Sequence, residues 1–248
     1  MEKKRYAVLD NLRGLILLSM IAYHTVWDLV HIFGNDWKWY ASDIAFLWQQ
    51  SICWGFILLS GFCFSLGRHK LKRGLTVFLA GALVTLVTCV VMPQNRVVFG
   101  VLTLLGSAML LMIPLEKILA KCNPVIGLAV AVCLFVITRN VNDGALGFGP
   151  WNICELPREW YANLFTAYLG FLPRGFFSTD YFSLFPWIFL FITGYFLYRI
   201  LEKYRFLERC KSTKTGVLGW IGRLSLPIYM IHQPVIYGIL FVIYKLIL

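Results

Sequence analysis

Long apolar runs separated by short polar segments dominate the hydrophobic pattern of this chain. The runs cover about residues 9–33, 42–66, 74–92, 97–115, 124–138, 184–201 and 224–247. A helix needs about 20 mostly apolar residues to cross the hydrocarbon core of a bilayer, and we interpret each run as one such helix. The pattern therefore predicts an all-α fold, a polytopic membrane bundle of about seven transmembrane helices in a single domain over residues 1–248.

The segment 139–183 departs from this pattern. It is rich in aromatic residues around Pro150, Pro157 and Pro173, and its longest apolar piece, about 160–172, is too short to span comfortably. We expect an interfacial or re-entrant cap on the outer face of the membrane. An eighth helix in this segment is the alternative, and it would place the C-terminus on the opposite side.

Basic residues concentrate in alternate loops of this predicted bundle. The clusters precede the first run or follow the second, fourth and sixth, and they comprise Lys3, Lys4, Arg5, Arg68, Lys70, Lys72, Arg73, Lys117, Lys121, Arg199, Lys203, Arg205, Arg209, Lys211 and Lys214. Cytoplasmic loops of membrane proteins carry an excess of Lys and Arg. The distribution therefore predicts a cytoplasmic N-terminus, and we expect the first run to be a retained span rather than a signal peptide.

The composition is that of a membrane protein and limits the classes of partner that the chain is expected to bind. The 248 residues are 59% hydrophobic and 14% charged, with a mean hydropathy of +0.72, which is typical of an integral membrane protein. A net charge of +11 would suggest nucleic acid in a soluble protein, but here the charges act as orientation signals, so we expect the lipid bilayer as partner and no nucleic acid. The seven cysteines show no paired metal-ligand spacing, so neither a metal site nor a disulfide framework is predicted.

The first run carries a stripe of ionisable side chains, Asp10, Arg13, His24, Asp28 and His31. Arg13 and His24 are eleven positions apart, about three helical turns, so they share one helix face about 16 Å apart along the axis. The other three residues fall on that same face. Ionisable groups are costly in hydrocarbon and usually face a protein interior or a wet cavity, so the stripe is a candidate functional site.

Two pairs within the stripe suggest chemistry. Asp10 and Arg13 are three residues apart and can form an ion pair near the cytoplasmic end. Asp28 lies one turn beyond His24, close enough to hydrogen-bond one ring nitrogen and leave the other free as a base. In the competing interpretation, His24 and Asp28 only tie helices together by polar contacts. We favour catalysis because Arg13 lies on the same stripe.

Several segments resemble a known superfamily of transmembrane acyltransferases, which includes bacterial sugar O-acyltransferases. The first helix resembles their opening helix in the stretch LDNLRGLILLSMIAYH. Later blocks resemble their second, fourth, penultimate and last helices: WGFILLSGFCFSLGRHKLKRG, VFGVLTLLGSAMLL, DYFSLFPWIFLFITGYFLY and LSLPIYMIHQPVIY. The chain is most similar to short bacterial members of the heparan-alpha-glucosaminide N-acetyltransferase catalytic-domain family. The resemblance implies an enzyme of the bacterial cytoplasmic membrane that passes an acyl group, typically acetyl, from cytoplasmic acyl-CoA to an extracytoplasmic sugar or glycolipid.

Two positions depart from the family pattern. In the heparan group an Asn occupies the place of His24 and the catalytic His belongs to the first outer loop, whereas that loop here, GNDWKWYAS, has no His. Related bacterial proteins often carry a His in the fourth-helix block, where this chain has Thr103. At His24 the chain follows the sugar O-acyltransferases, so the resemblance indicates His24 as base or transient acyl carrier, with Asp28 beside it.

The resemblance also suggests which residues meet the donor. A CoA donor carries phosphate groups, and Arg side chains at the cytoplasmic mouth would hold them. We assign this role to Arg13 with its partner Asp10, to Arg68 and Arg73, and to Arg223, which we expect at the inner end of the last helix. For the turn around Arg68 and Arg73 the alternative is an ordinary basic cytoplasmic loop.

On the outer side the candidates are aromatic and polar. Trp37 and Trp151 suit stacking on sugar rings, and we assign them to the acceptor. Asp180 is expected either to bind acceptor hydroxyls or to cap a helix. His232, which lies between two prolines, either neighbours the transfer site or satisfies backbone groups that proline frees.

Two further functions remain open on the sequence alone. A transporter or proton-coupled channel would use the same stripe as a relay, although transporters often show internal repeats and we find none here. The second alternative function is that of a non-catalytic accessory membrane subunit. Either a monomer or a homo-oligomer is compatible with the sequence.

Overall fold

The computed structural model of the chain describes residues 5–209, 211–212 and 216–246, so Lys3, Lys4 and Lys214 of the predicted basic clusters lie outside the described residues. The elements in chain order are β1 (Arg5–Tyr6), α1 (Ala7–His31), α2 (Asp43–Phe62), α3 (Lys70–Val91), α4 (Val101–Leu119), α5 (Pro124–Ile137), β2 (Ala145–Phe148), β3 (Trp151–Glu155), α6 (Leu164–Leu169), α7 (Trp187–Lys203), α8 (Phe206–Arg209), β4 (Lys211–Ser212), α9 (Val217–Arg223) and α10 (Ser225–Leu246). Short 3-10 helices occupy Lys38–Ala41, Pro93–Asn95, Val141–Asp143 and Arg158–Trp160. The described residues are mostly helical, in agreement with the predicted all-α class.

A long helix lies at each of the seven predicted runs. Within the described residues, six helices are long and apolar enough to cross a membrane, namely α1, α2, α3, α4, α5 with its continuation to Asp143, and α10. The remaining long helix, α7, has 17 residues. At a rise of about 1.5 Å per residue it extends about 26 Å, slightly less than a hydrocarbon core of about 30 Å. The number of about seven spans and their orientation therefore stay predictions.

The segment 139–183 contains a β-hairpin that the sequence pattern did not predict. Strands β2 and β3 pair antiparallel, with an irregularity between Leu146 and Gly147. Gly147 has a φ of +150°, and a β-carbon there would collide with the backbone of Trp151, so only glycine fits the bend. In the described structure of this segment the longest α-helix is α6, with 6 residues. This agrees with the expectation of no full span here, and the interfacial location remains a prediction.

The chain divides into two compact units. The first comprises Met1–Phe56 together with Arg205–Leu248, and the second comprises Ile57–Tyr204. Helix α2 contributes residues to both units.

In the first unit α1 packs against both α9 and α10. Glycines allow the α1–α9 crossing, because a β-carbon on Gly14 would collide with the backbone carbonyl of Leu218, and one on Gly222 would collide with that of Asp10. Helices gain little hydrophobic stabilisation from each other in lipid, so such close backbone approach supplies van der Waals packing instead. One buried apolar cluster of this unit consists of Leu17, Met20 and Ile52.

In the second unit the same kind of approach joins α3 to α4. A β-carbon on Gly81 would lie 2.6 Å from the backbone nitrogen of Thr103 and 2.7 Å from its Oγ1, and one on Gly106 would collide with the backbone of Phe78. Thr103 is buried in this crossing. The position at which related bacterial proteins often carry a His is therefore a buried packing position in this chain, next to the close approach of Gly81.

Candidate functional site

The polar centre of the first unit is formed by facing side chains of α1 and α10. Helix α1 supplies His24 and Asp28, and α10 supplies His232 and Gln233. The imidazole rings of His24 and His232 lie with their centroids 4.9 Å apart and their planes inclined by 59°. Of the two positions expected for His232, the structure places its ring beside His24, a contact that arises because two helices distant in the chain pack together.

Asp28 is the most deeply buried member of the centre, with 0% of the residue exposed. Its Oδ1 accepts a hydrogen bond from Nε2 of Gln233 at 2.5 Å, whereas its Oδ2 has no hydrogen-bond partner among the described residues. We expected Asp28 to hydrogen-bond His24, but in the described part of the chain its donor is Gln233 instead. A buried carboxylate needs a donor, and the long amide side chain from the neighbouring helix provides one. Sequence reasoning missed Gln233.

His232 is held by its own helix. It is 8% exposed, and its Nδ1 lies 2.5 Å from the backbone oxygen of Tyr229. A carbonyl oxygen can only accept, so Nδ1 carries the proton, and in the neutral ring Nε2 is then a bare acceptor. This Nε2 is buried without a hydrogen-bond partner in the described structure.

Three acceptor atoms of the centre thus have no donor within the described residues: Asp28 Oδ2, His232 Nε2 and Gln233 Oε1. Leaving a buried polar group unsatisfied costs on the order of 1–3 kcal/mol. Native proteins keep few such groups, and a cluster of them indicates a place where water or a ligand supplies the missing donors. The arrangement can therefore accept protons or hydrogen bonds from a molecule that enters it.

Aromatic rings border His24 on α1. The ring of Tyr23 lies 6.0 Å from that of His24 and 5.2 Å from that of Trp48. Trp48 in turn donates from Nε1 to Ser19 Oγ at 2.8 Å, which ties α2 to α1. His31, which the sequence placed on the same stripe, is exposed. Burial of the stripe is therefore uneven, and it centres on Asp28.

At the other end of α1 the structure confirms the predicted ion pair, with Arg13 Nη1 at 3.2 Å from Asp10 Oδ1. Gly222 of α9 packs on the backbone of Asp10, and Arg223 follows it directly. The expected position of Arg223 on the last helix is wrong, because Arg223 ends α9 and α10 begins only at Ser225. Arg13 and Arg223 thus each lie next in the chain to a glycine of the α1–α9 crossing, Gly14 and Gly222.

The predicted basic turn belongs to the second unit. Arg68 is exposed, whereas Lys70 forms an ion pair with Glu116 of α4 and lies 4.7 Å from the centroid of the Phe64 ring. Lys70 therefore has a structural role, because its ion pair links the start of α3 to α4. The donor-binding role of Arg68 and Arg73 stays a prediction.

The two tryptophans assigned to the acceptor are both exposed. Trp37, in the first unit, is 40% exposed, and its ring stacks on that of Trp39 with centroids 6.4 Å apart. Trp151, in the second unit, begins β3 and is 76% exposed. Exposed indole rings remain available for stacking on a sugar, so their assignment stands as a prediction.

Asp180 takes part in helix capping. Its Oδ2 accepts from the backbone N–H of Val101 at 3.3 Å, so it caps the start of α4 rather than α7, the next long helix after it. Of the two roles expected for Asp180, the structure shows capping, at a helix that precedes it in the chain. Burial raises the pKa of Asp180 from 3.8 to about 6. Its predicted contact with acceptor hydroxyls stays a prediction.

A family model described as heparan-alpha-glucosaminide N-acetyltransferase, catalytic, matches residues 5–234. The matched stretch includes all four residues of the polar centre. No curated protein and no solved structure matches the chain.

Proposed function

The chain belongs to the heparan-alpha-glucosaminide N-acetyltransferase catalytic family, and from this premise we propose that it transfers an acetyl group from cytoplasmic acyl-CoA to an extracytoplasmic glycan or glycoconjugate. Membership in the family implies a transferase, and six apolar helices among the described residues suit a multi-pass membrane protein. The donor, the acceptor and the direction of transfer belong to the proposal.

The observation that carries the proposal is the imidazole of His24 within a membrane helix, beside a second imidazole and a buried carboxylate. Ionisable groups in such segments are expensive to maintain and mark functional sites. In one route His24 removes the proton of the acceptor, which then attacks the thioester carbonyl directly. In the other, a ring nitrogen of His24 attacks the thioester, CoA leaves as the thiolate, and the acceptor displaces the acyl group from the ring.

The donor would enter from the end of α1 that carries Arg13 and Arg223. CoA presents a diphosphate and a ribose phosphate, and guanidinium groups bind phosphate oxygens in bidentate fashion. The ion pair with Asp10 restrains the Arg13 side chain at this end. Arg13 and His24 are about 16 Å apart along the helix, a distance that suits the extended pantetheine arm of CoA.

The acceptor would approach from the opposite end of α1. Trp37 follows the end of α1 and exposes its indole ring, which can stack on a sugar. An acceptor bound there would reach the polar centre from the side opposite to the phosphates. This arrangement lets one site meet both substrates without moving either across the membrane.

The test is acyl transfer by the purified protein with and without His24. His24→Ala should lower the transfer of labelled acetyl from acetyl-CoA on the order of a hundredfold or more, because a positioned base or nucleophile is lost while the helix stays apolar. His69→Ala, which removes an exposed histidine between α2 and α3, is the matched control and should retain activity. Wild-type protein that neither hydrolyses acetyl-CoA nor labels a glycan would refute the proposed function. Near-normal activity of His24→Ala would refute the role of His24.

A further inference from the structure

His232 has an orientation that its neighbouring proline does not explain. Pro234 lacks a backbone N–H, so within α10 it leaves the carbonyl of Met230, four residues earlier, without its usual donor. The His232 ring bonds instead to the carbonyl of Tyr229. The ring is therefore not satisfying the carbonyl that Pro234 frees, and its fixed tautomer needs another explanation.

That tautomer leaves a bare nitrogen buried on a ring of the polar centre. With the proton held on Nδ1, Nε2 of His232 is the atom able to accept a proton, and it is buried without a partner in the described structure. The ring centroid lies 4.9 Å from that of His24. Two imidazoles at this separation can act on the same small reacting group, one as nucleophile and one as base.

From this geometry we infer that the two histidines divide the reaction, with His24 as the transient acyl carrier and His232 as the base that activates the acceptor. The inference rests on the proposed function and decides between its two routes. Asp28 is less suited to take a proton from His24, because its Oδ1 accepts from Gln233. Within the described chain no hydrogen bond joins Asp28 to His24. Asp28 and Gln233 are positioning residues between α1 and α10.

The two steps conserve atoms, charge and protons. A bare ring nitrogen of His24 attacks the thioester carbonyl, the C–S bond breaks, and CoA leaves as the thiolate with an acyl-imidazolium left on His24. The acceptor hydroxyl or amine then gives its proton to His232 Nε2 as its heteroatom bonds to the acyl carbon. The C–N bond to His24 breaks in the same step. His232 later releases the proton, which balances the thiolate formed first.

The experiment separates the half-reactions. Exchange of labelled free CoA into unlabelled acetyl-CoA, without acceptor, reports the first step alone. Transfer of labelled acetyl to glucose or glucosamine as probe acceptors reports both steps. His232→Asn keeps an amide N–H that can replace Nδ1–H toward Tyr229 and removes Nε2. His69→Asn is the same change at an exposed histidine and serves as the control.

We expect the wild type to exchange CoA and to transfer acetyl, and His24→Asn to do neither. His232→Asn should retain exchange, lose transfer on the order of a hundredfold, and hold labelled acetyl on the protein after rapid quenching. The label should vanish in the double variant His24→Asn/His232→Asn. His69→Asn should match the wild type in both assays.

Several outcomes overturn the inference without touching the proposed function. They are transfer by the wild type with no CoA exchange, transfer at the wild-type rate by His232→Asn, and loss of both steps in a folded His232→Asn variant. If thermal unfolding shows that the Asn variant does not fold, His232→Gln takes its place and the same outcomes apply. Absence of both exchange and transfer in the wild type refutes the proposed function itself.

Discussion

The hydrogen bond from Gln233 to Asp28 allows a sharp test of the polar centre. Gln233→Met keeps nearly the same side-chain length and removes the amide donor, which leaves the fully buried Asp28 carboxylate without its observed partner. Hydrogen bonds to charged groups contribute about 1.5–3 kcal/mol, and a buried acceptor left alone also loses its solvation. For a chain of this size about 1 kcal/mol corresponds to about 2–4 °C in Tm. We therefore expect Gln233→Met to lower Tm by about 3–12 °C.

Thermal unfolding of the purified protein in detergent micelles, followed by tryptophan fluorescence, measures this shift. Gln94→Met is the matched control, because Gln94 is exposed in the 3-10 helix Pro93–Asn95 and should leave Tm unchanged. The double variant Asp28→Leu/Gln233→Met removes both partners, and replacing both by apolar groups can be nearly neutral. Its loss of stability should therefore be smaller than the sum of the two single losses, by about 0.5–3 kcal/mol.

Two results would refute this reasoning. An unchanged Tm for Gln233→Met would mean that Asp28 does not depend on this donor. Strict additivity in the double-mutant cycle would mean that the two side chains do not interact, and the packing of α1 on α10 would need another description.

Three further predictions concern other parts of the chain. Gly14→Val should destabilise the protein by about 1–3 kcal/mol or more, because its side chain collides with the backbone of α9. Gly238→Val, inside α10 with no atom within 4 Å of its β-carbon position, should not; equal Tm values would contradict the crossing. The pKa of Asp180 is raised from 3.8 to about 6, so its contribution to stability is fully present below about pH 4 and is lost as the pH rises through 6. Asp180→Asn should therefore flatten the change of Tm between about pH 4 and 7.5. An unaltered pH dependence of Tm in this variant would contradict the raised pKa of Asp180. Arg68→Gln/Arg73→Gln should weaken acetyl-CoA binding in calorimetry, and the affinity of the wild type should fall with added salt. Equal affinities of the variant and the wild type would mean that the turn is an ordinary basic cytoplasmic loop.

Local features of the chain were predictable from the sequence. The apolar runs predicted the positions of the seven long helices. In lipid an unpaired backbone N–H or C=O is costly, and a helix pairs these groups within the run itself. The Asp10–Arg13 ion pair was predictable for the same kind of reason, since residues three apart in a helix are neighbours whatever surrounds them. The family was recognisable because its motif blocks recur in order along the chain.

The composition of the polar centre was decided only by tertiary structure. Asp28 finds its donor in Gln233, 205 positions away, and His24 finds a second imidazole in His232. A periodic pattern predicts the face of a helix on which a residue lies. It does not predict which other helix packs on that face, or which residues of the two helices lie level with each other along their axes. Those depend on close crossings such as that of Gly14 with α9, where glycines let backbones approach and so set which side chains face each other along α1.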